Sequence, residues 1–262
     1  MYRSMRTAST GMYAQQLNVD NIANNLANVN TTGFKKAKLE FQDVLYQIYR
    51  MAGATSQEGA EVPVELQIGY GTKVVASQRI FTQGDLNMTG NALDAAIDGE
   101  GFFMVELPDG TTAFSRDGAF KLSNEGQLVT SDGYPLSAAI TIPAEAEEVS
   151  IGVDGTVTVR NAGETEVSDV GQILIAKFLN PAGLSGLGRN LFVQTTASGD
   201  FVEGVAGQEG LGQIRQGYLE MSNVETVEEM VNLIIAQRAY EVNSKAIQTS
   251  EDMTQIANNL KR

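Results

Sequence analysis

The chain has 262 residues, an apolar share of 42% and a net charge of −14, which allows one large domain or two to three small ones with true cores. Cys and His are both absent, so a disulfide framework, a Cys or His metal site and nucleophile–histidine catalysis are excluded. The acids concentrate between Asn91 and Val170, where fifteen Asp or Glu stand against three Lys or Arg. Such a balance argues against nucleic acid and anionic lipid as partners, and for solubility or a face that resists adhesion.

The opening MYRSMRTASTGMYAQQL carries two arginines but no apolar h-region, so neither a secretory signal peptide nor a membrane span is expected there. Residues Ser4 to Val29 read as one helix, about 39 Å long at ~1.5 Å per residue. Its positions Met5, Ala8, Met12, Gln15, Val19, Ile22, Leu26 and Val29 step by three and four, which draws a narrow stripe along one face. Gly11 lies within it, at a cost of about 1 kcal/mol against Ala. The run VNTTGFKK then stops the helix, with Asn30, Thr31 and Thr32 favouring turns and Gly33 supplying the C-terminal residue.

From Leu39 to Arg50 the sequence LEFQDVLYQIYR fits parts of both the helix and the strand template, and a short helix is expected. MAGATSQEGAEVP, from Met51 to Pro63, reads as an extended or mobile connection. From Gly69 to Gly217 runs such as FFMVEL, TVTVR, QILIAKFL and NLFVQT alternate with turn signals, so a compact antiparallel sheet or small barrel is expected. Asp-Gly recurs in this stretch, and PDGTTAF and VDGTVTV are its clearest hairpins.

The last helix is expected from Ser222, an N-cap with Glu225 three residues on, and Glu225, Glu228 and Glu229 suit the positive end of the helix dipole. It runs to Leu260, about 57 Å. Val224, Val227, Val231 and Ile234 start its stripe. Ile235, Ala239, Val242, Ala246, Thr249, Met253, Ile256 and Leu260 continue it one position over, a drift that marks a stutter. IANNL occurs at Ile22–Leu26 and again at Ile256–Leu260, either by chance or because both ends play equivalent interhelical roles.

The fold class is therefore α+β. Residues 1–32 and 218–262 hold the terminal helices with their coiled-coil spacing, 33–68 are a connecting segment, and 69–217 an antiparallel β-rich domain. No glycine-rich phosphate loop and no EF-hand is written here, and no cofactor is expected. Acid pairs such as Asp98 with Glu100, or Glu145 with Glu147 and Glu148, have the residue types of a glycosidase, but neighbouring acids in a strand–turn region are usually solvated charges. The terminal stripes are the better candidates for function. They are the inner faces of a bundle within one monomer, or seams between copies; the amides Gln15, Gln16, Asn18, Asn21, Asn24 and Asn25 suit lateral bonding between helices. On the second reading Met5, Ala8, Met12, Val19, Ile22, Leu26, Val29, Val231, Ile235, Ala239, Val242, Ala246, Met253, Ile256 and Leu260 carry self-assembly, and the free ends are disordered because an exposed stripe does not offset the entropy of ordering a long helix.

ANNLANVNTTGFKK at one end and SNVETVEEMVNLIIAQRAYEVNSKAI at the other resemble the two signatures of the flagellar rod and hook axial protein family. LQIGYGTKVVASQRIFTQGDL and GEGFFMVELPDGTTAFSRDGAFKLSNEGQLVTSDGYPL extend the resemblance over nearly the whole chain, which looks closest to the distal-rod members. The resemblance implies an inner domain of paired termini, a β-rich domain outside it, and a homo-oligomer stacked into a rigid helical tube that transmits torque and forms part of the export channel. It implies as partners the proximal rod proteins, the hook protein, the P-ring and L-ring proteins and the flagellar export apparatus. The implied place is the flagellar basal body from periplasm to outer membrane, reached without a cleaved signal peptide. Between Gln47 and Leu66 the chain is similar to rod rather than hook members in carrying an insertion, and it departs from the family at Met51-Ala52-Gly53, where a proline is expected before the glycine. A proximal rod or hook subunit of the same family, and more remotely a β-rich cell-wall glycosidase, stand as alternatives.

Overall fold

The three–four spacing at the front of the chain folds as helix α1 (Tyr2–Ala27), and that at the back as α2 (Thr226–Asn259). The computed structural model describes residues 2–52, 63–138, 140–161 and 167–259. The connection expected over 51–63 lies almost wholly outside these residues, as do Gly53 and Leu260. The fold is α+β, with a helix at each end and strands between them. It divides into two units, the first made of Met1–Ala27, Ala37–Gln78 and Glu225–Arg262, the second of Asn28–Lys36 and Arg79–Val224.

In the first unit both helices accompany four strands, β1 (Ala37–Asp43), β2 (Tyr46–Arg50), β3 (Leu66–Gly69) and β4 (Thr72–Arg79). β1 lies beside β4, and β2 pairs antiparallel with β3 in the register Tyr46↔Gly69, Ile48↔Gln67. The short helix expected over Leu39–Arg50 is thus corrected to two strands. Leu39 and Phe41 alternate with Lys38, Glu40 and Gln42, and Tyr46, Ile48 and Tyr49 are β-favouring residues, so the period of two prevails over the helical one. Between the strands Val44 N–H donates to Gly71 O at 2.9 Å and Tyr70 N–H to Leu45 O at 3.2 Å.

Two helix ends also differ from expectation. α1 stops at Ala27, so Val29 sits in the turn that follows, where Thr31 N–H donates to Asn28 O at 3.2 Å. Gly33 has φ +67°, and a Cβ there would stand 2.6 Å from Asp117 N; the left-handed backbone and the close approach both demand glycine. At the other end α2 starts at Thr226 rather than after a Ser222 cap: the Ser222 hydroxyl accepts from Val224 N–H at 3.3 Å, and the first turn closes with Glu229 N–H to Glu225 O at 3.0 Å. Asn223 holds residues 222–224 out of the helix, since its Oδ1 accepts from Lys36 N–H at 2.8 Å and its Nδ2 donates to Ile80 O at 2.8 Å.

The second unit holds β5 (Leu86–Met88), β6 (Ala95–Asp98), β7 (Phe102–Glu106), β8 (Thr112–Ser115), β9 (Lys121–Leu122), β10 (Leu128–Val129), β11 (Ala146–Ile151), β12 (Thr156–Asn161), β13 (Val167–Gln172), β14 (Leu174–Phe178), β15 (Ser185–Gly188), β16 (Leu191–Val193), β17 (Phe201–Val205), β18 (Gln213–Gln216) and β19 (Tyr218–Glu220). They form neither a single sheet nor a closed barrel. A six-stranded sheet runs β15-β16-β8-β7-β14-β17, a three-stranded one β11-β12-β13, and the ribbons β10-β9, β18-β6 and β19-β5 stand apart. Both expected Asp-Gly hairpins are present, joining β7 to β8 and β11 to β12 in antiparallel pairs.

The six-stranded sheet is covered on both faces. Along β7 and β14, Phe103 and Ile175 enter one core with Ile97, Val157, Ile173 and Ile214, while Phe102, Met104, Ala176 and Phe178 enter another with Phe114 and Phe192. This is why FFMV is apolar without a break: successive side chains point to opposite faces, and each face is buried. The second core is a set of edge-to-face rings, including Phe114–Phe178 at 4.7 Å between centroids and Phe81–Phe192 at 5.2 Å.

Candidate assembly surface

α1 and α2 run antiparallel and pack against each other. Ser4 Oγ meets Ser250 Oγ at 3.1 Å, a Cβ on Gly11 would stand 3.0 Å from Asn243 Nδ2, and Asn25 Nδ2 donates to Glu229 Oε2 at 3.4 Å. Each advance along α1 matches an equal retreat along α2, so the same register sets Asn18 opposite Ala236. The terminal helices therefore contact each other within one chain.

The side chains at this contact are mostly small or polar. On α1 the buried residues are Ala8, Ala14, Ile22 and Asn25, on α2 they are Glu229, Ala236 and Ser250. Asn25 is bonded on both sides of its amide: Oδ1 accepts from Ala37 N–H at 3.0 Å, and Nδ2 donates to Ala37 O at 2.9 Å as well as to Glu229. Asn21 Nδ2 reaches the same carbonyl at 2.8 Å. Two buried polar groups, an amide and an acid of the first turn of α2, thus close the contact where α1 ends and α2 begins. The signal is present as a seven-residue repeat of small and polar residues, Ser4-Gly11-Asn18-Asn25 and Glu229-Ala236-Asn243-Ser250, beside the more conspicuous apolar stripes.

The candidate assembly residues fall into two groups. On α1, Ala8 and Ile22 are buried, and Met5, Met12, Val19 and Leu26 are half-buried, as is Val29 in the following turn. On α2 the stripe points to solvent: exposure runs from 45% at Met253 through 60% at Ile235 and Ile256 and 65% at Val242 to 76% at Val227, with Val231 also exposed. Ala246 is exposed and Ala239 half-buried. The two IANNL copies consequently differ, since Ile22 is buried and Ile256 is not. Each residue along an α-helix turns ~100°, so the exposed stripe of α2, about one residue away from its α1-facing side, has no cover among the described residues.

In the second unit a buried ionic cluster ties together segments distant in sequence. Lys35 Nζ lies 2.5 Å from Glu220 Oε1 and donates to Thr82 O at 2.7 Å, and Arg116 Nη1 lies 3.2 Å from Glu220 Oε2. Gly84 N–H adds a bond to the same carboxylate at 2.9 Å. Burial holds the Lys35 ammonium below its ordinary value despite the pull of Glu220, and does the same to Arg116. Burial also raises the Asp117 carboxyl, against the bond it accepts from Thr32.

Three of the five acids named above, Asp98, Glu100 and Glu148, sit in surface ion pairs. Asp98 meets Arg215 at 2.6 Å, Glu100 meets Lys177 at 2.7 Å, and Glu148 meets Arg160 at 2.6 Å. Lys177 holds the Glu100 carboxyl low. Among the described residues no group of three or more His, Cys, Asp or Glu is placed to hold a metal, and no helix is long and apolar enough to cross a membrane.

Three family models match along the chain. Residues 5–35 match "Flagella basal body rod protein", residues 96–159 "Flagellar hook protein FlgE/F/G D1 domain" and residues 215–260 "Flagellar basal body rod FlgEFG protein C-terminal". Those models describe one class, the rod and hook subunits of the bacterial flagellum. Among curated relatives, "Flagellar basal-body rod protein FlgG" of Borreliella burgdorferi is 52% identical with both chains fully covered. The proteins of that description from Agrobacterium fabrum and Bacillus subtilis are 49% and 41% identical, over 99% and 100% of this chain and 100% of each relative. The chain belongs to the flagellar basal-body rod protein FlgG family.

Proposed function

We propose that this chain is a structural, non-enzymatic subunit of the flagellar distal rod that assembles with copies of itself through its terminal helices into a rigid helical tube. Such a tube passes torque toward the hook and encloses part of the export channel. The proximal rod proteins and the hook protein are its axial neighbours, the P-ring and L-ring proteins surround it between periplasm and outer membrane, and the flagellar export apparatus delivers it. The observation that carries this reading is the apolar stripe of α2 from Val227 to Ile256, left exposed in a chain whose relatives are named as rod proteins. Each Val, Ile or Met side chain transferred from water to such a contact contributes roughly 1.5–3 kcal/mol, so the sum over a lattice is large although one contact is modest.

Ile235→Asp and Val242→Asp test it. Both residues are exposed in the single chain, so either variant should fold with unchanged helicity yet fail to form rods and fail to restore motility to cells lacking the protein. Normal rods from both would remove the α2 stripe from the assembly surface.

A further inference from the structure

Five cations of the second unit lie against acids: Lys35 and Arg116 against Glu220, Arg160 against Glu148, Lys177 against Glu100 and Arg215 against Asp98. Arg79, the last residue of β4 and part of the same unit, has two rings in place of an acid. Its Cζ stands 5.9 Å from the centroid of Phe34 and 5.4 Å from that of Phe192. We propose that the guanidinium of Arg79 is an anchor for a carboxylate of a second copy of this chain, held by paired hydrogen bonds from Nε and Nη2. The inference rests on the self-assembly proposed above and adds to it a contact outside the helices.

Phe34 and Phe192 are both buried, so packing fixes the rings against which the guanidinium lies. A guanidinium stacked on aromatic faces keeps its planar fork in place and loses little freedom on binding. Nη1 donates to Lys35 O at 3.2 Å. Nε and Nη2 meet no acceptor among the described residues, and neither is shut off from water. Gly186 in β15 leaves that edge open: a Cβ there would stand 3.4 Å from Nη2 and 3.6 Å from Nε. Burial lowers the Arg79 value, with no acid beside it to raise it, so the single chain carries a half-buried cation without a counter-charge. A sister copy supplies that charge. Fifteen acids stand against three bases between Asn91 and Val170, and Glu106, Glu125, Asp132 and Glu147 are exposed among them. Paired Arg–carboxylate bonds are strong and directional, and arginine is among the residues that dominate interfaces.

Two variants test the anchor from opposite sides. Arg79→Gln removes the cation, and Gly186→Val keeps it but fills the space beside Nε and Nη2, at an exposed strand position. Each should leave the urea midpoint of the monomer unchanged, since no carboxylate is lost there, and raise the protein concentration needed for rods by about tenfold. Rods at the wild-type concentration from both variants would overturn the proposal, and a lowered midpoint with normal rods would make Arg79 a packing residue only. The occupant is read from Arg79→Lys protein, assembled from equal parts of nitrogen-15-labelled and unlabelled chains and treated with a carbodiimide, which couples an amine to a carboxyl in contact with it. Coupled peptides should join position 79 to an Asp or Glu carrying the other label. Coupling within one chain only, or none, would overturn a second copy as the partner. Failure of the self-assembly reading shows elsewhere, as normal rods from Ile235→Asp.

Discussion

Glu220 joins three distant segments of the second unit. Its single carboxylate is shared between Lys35 and Arg116, one oxygen to each, and all three residues are buried. Removing one partner of such a set leaves charge without compensation, so Glu220→Ala should destabilise by about 3–5 kcal/mol, measured by urea unfolding of that unit. Three other carboxyls carry pH dependence of opposite sign. Hydrogen bonds from Thr111 and Thr156 hold Asp109 and Asp154 below the ordinary 3.8; their contribution is present above 3.8 and lost as pH falls through the lower folded value. Burial raises Asp117 above 3.8, so its contribution is complete below 3.8 and lost as pH rises through the folded value. Carbon-13 titration of the carboxyls should order them with Asp109 and Asp154 low and Asp117 high, and an Asp117 midpoint at or below 3.8 would contradict the burial argument.

At the scale of elements, the α1–α2 contact is close because its residues are small. Ala236 is 1% exposed and the register places it opposite Asn18. Ala236→Leu overfills that site and should cost about 1–3 kcal/mol, seen as a lower helix melting temperature in the monomer, whereas Ala246→Leu, at an exposed position, should leave it nearly unchanged. How far these elements could be read in advance depended on how many signals agreed. Both long helices and both Asp-Gly hairpins were legible, because periodicity and turn chemistry pointed the same way. Leu39–Arg50 was not, since a twelve-residue stretch broken at Asp43–Leu45 satisfies two periods in part and only its strand partners Leu66–Gly69 and Thr72–Arg79 decide between them. Ser222 misled for a related reason: a correct capping pattern lost to the long-range bonds of Asn223, which no local pattern reveals.

At the scale of the whole molecule, the terminal stripes were legible as patterns but their partners were not. Apolar spacing shows that a face needs cover; it does not say whether the cover comes from the same chain. Here the answer is divided: the α1 stripe is largely buried or half-buried, and that of α2 is exposed. Burial of Glu229 and of the Lys35–Glu220–Arg116 cluster escaped sequence reading, because a charged residue is by default placed in water and its neutralising partner lies far along the chain. The central claim is that sister molecules cover the outward face of α2. Maleimide labelling of Val242→Cys, the sole thiol in the chain, measures that cover directly. The thiol should react rapidly in monomer and at least tenfold more slowly in assembled rods; equal rates in the two states would contradict the account.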